Sequence, residues 1–224
     1  MNLTFRAVRG AVTAFAASLA LASCVSTPEA PIAAPVAALP AEPETLVEVA
    51  PPPLDVPPLI AEALAALEAH AGQVRHHDKI AVVDFSLPSR EPRFHVVDVA
   101  TGKIERSWLV AHGSGSDPDG TGTVQRFSNQ PGSNASSRGA YVTAETYVGQ
   151  HGRSQRLVGL DADNDMAFNR AIVIHGADYV DPALIARQGR IGRSQGCFAF
   201  EESEVAEVMA LLGEGRLIYA STAA

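Results

Sequence analysis

The stretch RFHVVDVATGKIERSWLVA, residues 93–111, sets the fold class. A short β-branched run over 93–99 breaks at Ala100-Thr101-Gly102, and a second short run fills 103–111. Two such runs joined by a Gly-containing link read as a β-hairpin. The same signal recurs outward from it. KIAVVDFS (79–86) precedes the hairpin as a strand; AYVTAETYV (140–148), RLVGL (156–160), AIVIHGA (171–177) and RLIYA (216–220) follow it. Helical spacing is rarer. In LIAEALAALEAHAGQ (59–73), Ile60, Ala63, Leu64 and Leu67 recur at helix period and Gly72 supplies a stop. PALIARQ (182–188) carries Pro182 in a first turn, and EESEVAEVMALLGEG (201–215) ends on Gly. The expectation is a mainly β domain with a few short helices over residues 59–222.

Composition permits such a core. Of 224 residues, 46% are hydrophobic and 19% charged. The net charge of −8 argues against nucleic acid as a partner, because a phosphate backbone selects a basic footprint.

The N-terminal segments have another character. MNLTFRAVR (1–9) carries Arg6 and Arg9 and no acid, and the apolar run over 10–23 is too short and Ala-rich for a membrane span. A basic start, a short apolar run and small residues describe a secretory signal peptide, residues 1–23. The run ends LASC (21–24), which resembles the lipobox of bacterial lipoproteins. That resemblance implies cleavage before Cys24, acylation of Cys24 and a membrane partner through the lipid. Val25 rather than Asp after the Cys favours the outer membrane. Ten of the fifteen prolines fall in residues 25–58, with acids and no Lys or Arg. A segment so poor in backbone donors and apolar surface is expected to be disordered, so 24–58 reads as lipidated Cys plus linker. In polyproline conformation, at about 3.1 Å per residue, it reaches on the order of 100 Å.

With Cys24 assigned to lipid, Cys197 in GRSQGCFAF (192–200) is the one remaining thiol. A thiolate nucleophile needs a base, and His175, at the end of the apolar run IVIHG, is the usual kind. Gly196 permits a tight turn and close approach of substrate. From residue types alone two readings of Cys197 stand side by side: a Cys–His acyl-transfer site, and a buried structural thiol, since free Cys is among the most buried residues.

The ordered stretches VDFSLPSREPRFHVVDVATG, VAHGSG, RFSNQPGSNASSRGAYVTAETYVGQHGRSQRLVGL and AIVIHGADYV…GRIGRSQGCFAF resemble the L,D-transpeptidases, the YkuD-type enzymes of bacterial cell walls. The match is nearest to the subgroup of murein L,D-transpeptidase catalytic domains and spans residues 79–219. It implies a YkuD-like β-sandwich or barrel. It also implies roles: Cys197 as nucleophile, His175 as base and then acid, the Gly176 carbonyl orienting the imidazole, Ser194 shaping the loop, and Gly196 and Cys197 N–H groups as the oxyanion hole beside Gln195. The implied substrate is the stem tetrapeptide of peptidoglycan, in the periplasm. The implied products of a Cys thioester are 3→3 cross-links, protein attachment or released D-alanine, with no cofactor. Two positions depart from the pattern: many relatives carry His or Trp where Gln195 stands, and in the close subgroup a Pro usually follows the Cys where Phe198 stands. Neither change removes nucleophile or base, but both motivate an alternative, a degenerate lipoprotein that binds peptidoglycan without chemistry.

Other residues read as follows. Tyr141, His151, Arg156 and Arg193 are expected to line a peptide cleft. His112, His151 and His175 together suggest a zinc site only by count, since no metal-ligand spacing is present. DADND (161–165) opens like a calcium loop but has Met166 and Ile172 where Gly and Glu are needed, so it reads as a polar turn. The Gly-rich loop over 112–139 is long enough to be expected either functional or mobile.

Overall fold

The computed structural model describes residues 55–223. The expected signal peptide, Cys24 and most of the linker lie outside them. The hairpin forms: β2 (Phe94–Asp98) pairs antiparallel with β3 (Ile104–Trp108), and β1 (Lys79–Asp84) joins the other side of β2. Next come β4 (Gly139–Gly149), β5 (Gly152–Gly159), β6 (Val173–Gly176), β7 (Phe198–Phe200) and β8 (Leu217–Ser221). They make one mixed eight-stranded sheet in the order β3-β2-β1-β8-β4-β5-β6-β7. Past β3 the chain pairs at Ala111 with Ala199 of β7, so the two ends of the strand order meet and the sheet rolls up.

Central strands are buried on both faces, which explains their unbroken apolar runs. In β1, Ile80 and Val82 face α1 (Pro58–Ala69), while Ala81 and Val83 face the main core. Helix α1 starts with Pro58 in its first turn, where a missing N–H costs nothing, and buries Leu59, Ile60, Ala63 and Leu67 on one stripe. The other helices are α2 (Pro182–Gln188), capped by Asp181, and α3 (Val205–Leu212). The DADND stretch is a turn with a structural task. Asp161 accepts from Ala140 N–H at 2.7 Å and from His70 at 2.9 Å, while the Asn164 amide donates to Ala140 O at 2.8 Å. It therefore ties β4 to α1.

Phe198, one of the two departures from the family pattern, points into this core. It is 1% exposed, stacked on Phe85 at 6.2 Å and edge-on to Tyr141 at 5.5 Å. Tyr141, expected in a cleft, is fully buried too, and its hydroxyl donates to Ser137 O at 2.7 Å. Trp108 is likewise core.

Candidate active site

Strands β6 and β7 run parallel, in the register Ile174↔Phe198, His175↔Ala199, Gly176↔Phe200. The residue before β7 is Cys197, which the register sets opposite Val173. Side chains alternate along a strand, so Cys197, Ala199, Val173 and His175 share a face, while Ile174 and Phe198 fill the core behind it. Cys197 and His175 are thus diagonal neighbours across adjacent strands. Both line a cleft of about 520 Å³, with Ser194, Gln195, His151, Arg170, Arg193 and Tyr179 among its other walls.

Hydrogen bonds fix the state of His175. Its Nδ1 lies 2.8 Å from Gly176 O, and a carbonyl only accepts, so Nδ1 carries the proton and Nε2 the lone pair. His175 is 2% exposed, and burial holds it below the usual histidine range. The Gly176 contact opposes that shift and His151 reinforces it. Half-buried Cys197 donates its S–H to Ala171 O at 3.6 Å. Burial pushes its thiol up, against the pull of Val173 N–H and the Arg170 guanidinium. Both shifts favour a resting pair of neutral thiol and neutral imidazole. Ala171 reaches the thiol from a left-handed conformation, φ 53°, and Asn134 in the opposite wall has φ 52°. Two such non-glycine residues in one cleft mark strain held in place by the surrounding structure.

The Cys197 loop is pinned from below. Ser194 Oγ donates to Cys197 O at 2.7 Å and accepts from Gly196 N–H at 3.1 Å. The second bond changes an expectation: the Gly196 N–H is committed to Ser194 and is not free for an oxyanion in this conformation. Glycine is still required at 196. Its φ is +114°, and a Cβ there would sit 2.7 Å from Ala135 O and 2.9 Å from the Ile172 Cδ1.

The long loop over 112–139 supplies the cleft's other wall. Ser194 N–H donates to His112 O at 2.9 Å, and Ser114 N–H to Ser194 O at 2.8 Å. Arg170 stitches the same loop through Ser128 O at 2.8 Å, Ser137 Oγ at 3.1 Å, Ser133 Oγ at 3.3 Å and Ala135 O at 2.5 Å. Sequence reasoning did not single out Arg170. Its partners lie more than thirty residues upstream, so no local spacing betrays it. Arg193 lines the cleft and is anchored on the carbonyl and carboxylate of Asp117. Burial opposes ionisation of Asp117, but bonds from Gly122 N–H and Thr121 hold its carboxyl below the usual range.

Of the remaining expected residues, Gln195 is exposed at the cleft and His151 stacks on His175, with ring centroids 4.3 Å apart. Arg156 is not brought to the cleft. It bonds Glu145 at 3.0 Å and lies over the Tyr147 ring at 4.3 Å. The three histidines do not converge: His112 is sealed in the interior, and His151 and His175 meet face to face.

A family model described as the L,D-transpeptidase catalytic domain matches residues 56–221. Among curated protein sequences none matches the chain. Solved structures similar to it include an L,D-transpeptidase from Mycobacterium smegmatis, 14% identical, with 65% of this chain and 59% of that one covered and a TM-score of 0.40. An L,D-transpeptidase from Xylanimonas cellulosilytica is 15% identical, covering 71% and 69%, with a TM-score of 0.38. The helical cell shape determining protein Pgp2 from Campylobacter jejuni is 11% identical, covering 74% and 55%, with a TM-score of 0.43. The chain spans less than two thirds of the Mycobacterium smegmatis and Campylobacter jejuni chains. The family match runs from before α1 to the end of β8, across the whole described sheet, and the chain belongs to the family of L,D-transpeptidase catalytic domains.

Proposed function

We propose that this domain is a cysteine L,D-transpeptidase acting on the stem tetrapeptides of peptidoglycan. The observation that supports the reading is that one cleft, beside the β6–β7 ladder, is lined both by Cys197 and by a His175 whose tautomer leaves Nε2 unprotonated. His175 takes the thiol proton as Sγ attacks the carbonyl of the diaminopimelate residue. The Cys197 N–H is the donor of the Gly196-Cys197 pair available to the oxyanion. Collapse breaks the C–N bond to D-alanine, whose amine leaves with the proton from His175. An amine then attacks the thioester, His175 takes that amine's proton, and the sulfur leaves to be reprotonated. A second stem's amine gives a 3→3 cross-link, and a protein amine gives protein attachment. Water gives a tripeptide, an L,D-carboxypeptidase outcome.

Purified domain incubated with tetrapeptide muropeptides is expected to release D-alanine and form cross-linked dimers or tripeptides, read by mass spectrometry. Cys197→Ala is expected to release none. Release by both proteins alike would remove the cysteine from the reaction.

We also propose that the domain, residues 59–222, faces the periplasm on a Pro-rich tether whose lipidated Cys24 sits in the outer membrane. The lipobox-like LASC and the composition of residues 25–58 support this. Cys24→Ala is expected to move the protein from the membrane to the soluble fraction. An unchanged distribution would refute the anchor.

A further inference from the structure

The β4–β5 hairpin closes tightly. Gly149 pairs with Gly152, so Gln150 and His151 alone form its two-residue loop, with Gly152 at φ +70°. Strand β5 pairs directly with β6, in the register Ser154↔His175. The hairpin tip is therefore held by two ladders, and it delivers an exposed histidine ring onto the face of the buried His175. The rings are 24° from parallel with centroids 4.3 Å apart. The Gln150 amide nitrogen lies 3.1 Å from His151 Nε2.

We propose that His151 is a positioning residue for the base: its ring clamps the His175 imidazole and keeps a second proton off the pair. The inference rests on the Cys197–His175 reading above. The Nδ1–H bond to Gly176 O fixes one edge of the His175 ring but permits tilting about that bond. A flat ring against its face removes the tilt and holds Nε2 in the direction of the cleft. The same overlap couples the two charges. Two imidazoliums at this separation repel, so the stacked pair holds one proton more readily than two. Consistent with this, His151 adds to the burial that lowers His175. The other titratable or charged groups around the pair are Cys197, Arg170, Arg193 and Tyr179 on the cleft side, and Arg153 and Glu202 beyond Gly176.

The family resemblance implies that carbapenem β-lactams acylate Cys197, and the test is the rate at which a carbapenem acylates the full domain, followed from pH 4.5 to 8.5 in wild type, His151→Ala, His151→Phe and His175→Ala. With His151→Ala the plateau rate is expected to fall about tenfold. His151→Phe keeps a flat ring and is expected to lose about threefold. In both, the acid limb of the profile is expected to move to higher pH, because removing a charge that opposes protonation raises His175. A limb that stays at the wild-type pH in both variants, or a plateau unchanged in His151→Ala, would overturn the proposal. A misfolded His151→Ala would leave His151→Phe to decide by its limb alone. Failure of the underlying reading looks different: wild type itself would not acylate, or His175→Ala would acylate as fast as wild type.

Discussion

His175→Ala lowers the rate of Cys197 acylation by about 10²–10⁴-fold, the range that a positioned general base supplies. The expectation follows from the resting state of the pair. Burial pushes the Cys197 thiol up and the His175 imidazole down, so at neutral pH the nucleophile is not already a thiolate. Attack then depends on a base that removes the proton during bond formation, and the Gly176 carbonyl keeps Nε2 unprotonated for that task. Among the described residues no other histidine is placed to replace it. His151 stacks on the ring it would have to substitute, and His112 is fully buried behind the Cys197 loop. Single-turnover acylation with a carbapenem at pH 7.5 reads the loss, and circular dichroism of the variant separates it from misfolding. A rate within threefold of wild type in a folded variant would mean that the cysteine ionises without His175.

The second large effect is acid destabilisation through His112. His112 is fully buried. The Arg93 guanidinium donates to its Nδ1 at 2.7 Å, so the ring hydrogen sits on Nε2, 3.4 Å from Asp117 Oδ2. Burial first, and Arg93 second, hold its pKa at about 4; Asp117 offsets part of this. The unfolded chain binds that proton near the ordinary value of about 6.5. Between these two values the unfolded state carries a proton that the native state refuses, so stability falls as pH drops through this window and levels off below it. At about 1.36 kcal/mol per pKa unit the loss is on the order of 3 kcal/mol. Urea unfolding at pH 7, 5.5 and 4.5 measures it, with His112→Gln as the comparison that lacks the titrating group. An identical slope in both proteins would exclude His112 as its source. The function is tied to this network, because His112 O holds Ser194 N–H and Asp117 anchors Arg193.

The regular elements were legible where apolar periodicity alone defines them. The 93–111 hairpin, strand β1 and helix α2 lie where the pattern places them, α2 between Pro182 and a left-handed Gly189 at φ +74°. Strand β5 starts earlier than its apolar residues suggest. Ser154 and Gln155 are buried polar side chains, and the Gln155 amide nitrogen donates to Ala144 O at 3.1 Å and Gly213 O at 2.5 Å. A hydropathy pattern cannot see such residues. Helix α3 is shorter than expected, since residues 202–204 form a turn. Strand β7 was missed as a strand: Phe198, Ala199 and Phe200 are all buried, so three residues show no alternation.

The site divides in the same way. Cys197 and His175 stood out by chemistry and by motif order, and the β6–β7 register brings them to one face. Tyr141 and Arg156 were misplaced because alternation does not say which face of a rolled sheet is core. Arg170, the commitment of Gly196 N–H to Ser194, and the His151–His175 stack all arise from long-range packing. Single-sequence spacing holds no record of those contacts.

The central claim is that Cys197 carries the acyl group of the donor stem. Acid-quenched mass spectrometry of the domain mixed with a tetrapeptide donor tests it most directly. The account predicts an adduct equal to the tetrapeptide less D-alanine, on the peptide that contains Cys197, and its absence in Cys197→Ala. Release of D-alanine with the acyl group on any other residue, or a folded domain that acquires no adduct from either the tetrapeptide or a carbapenem, would contradict it.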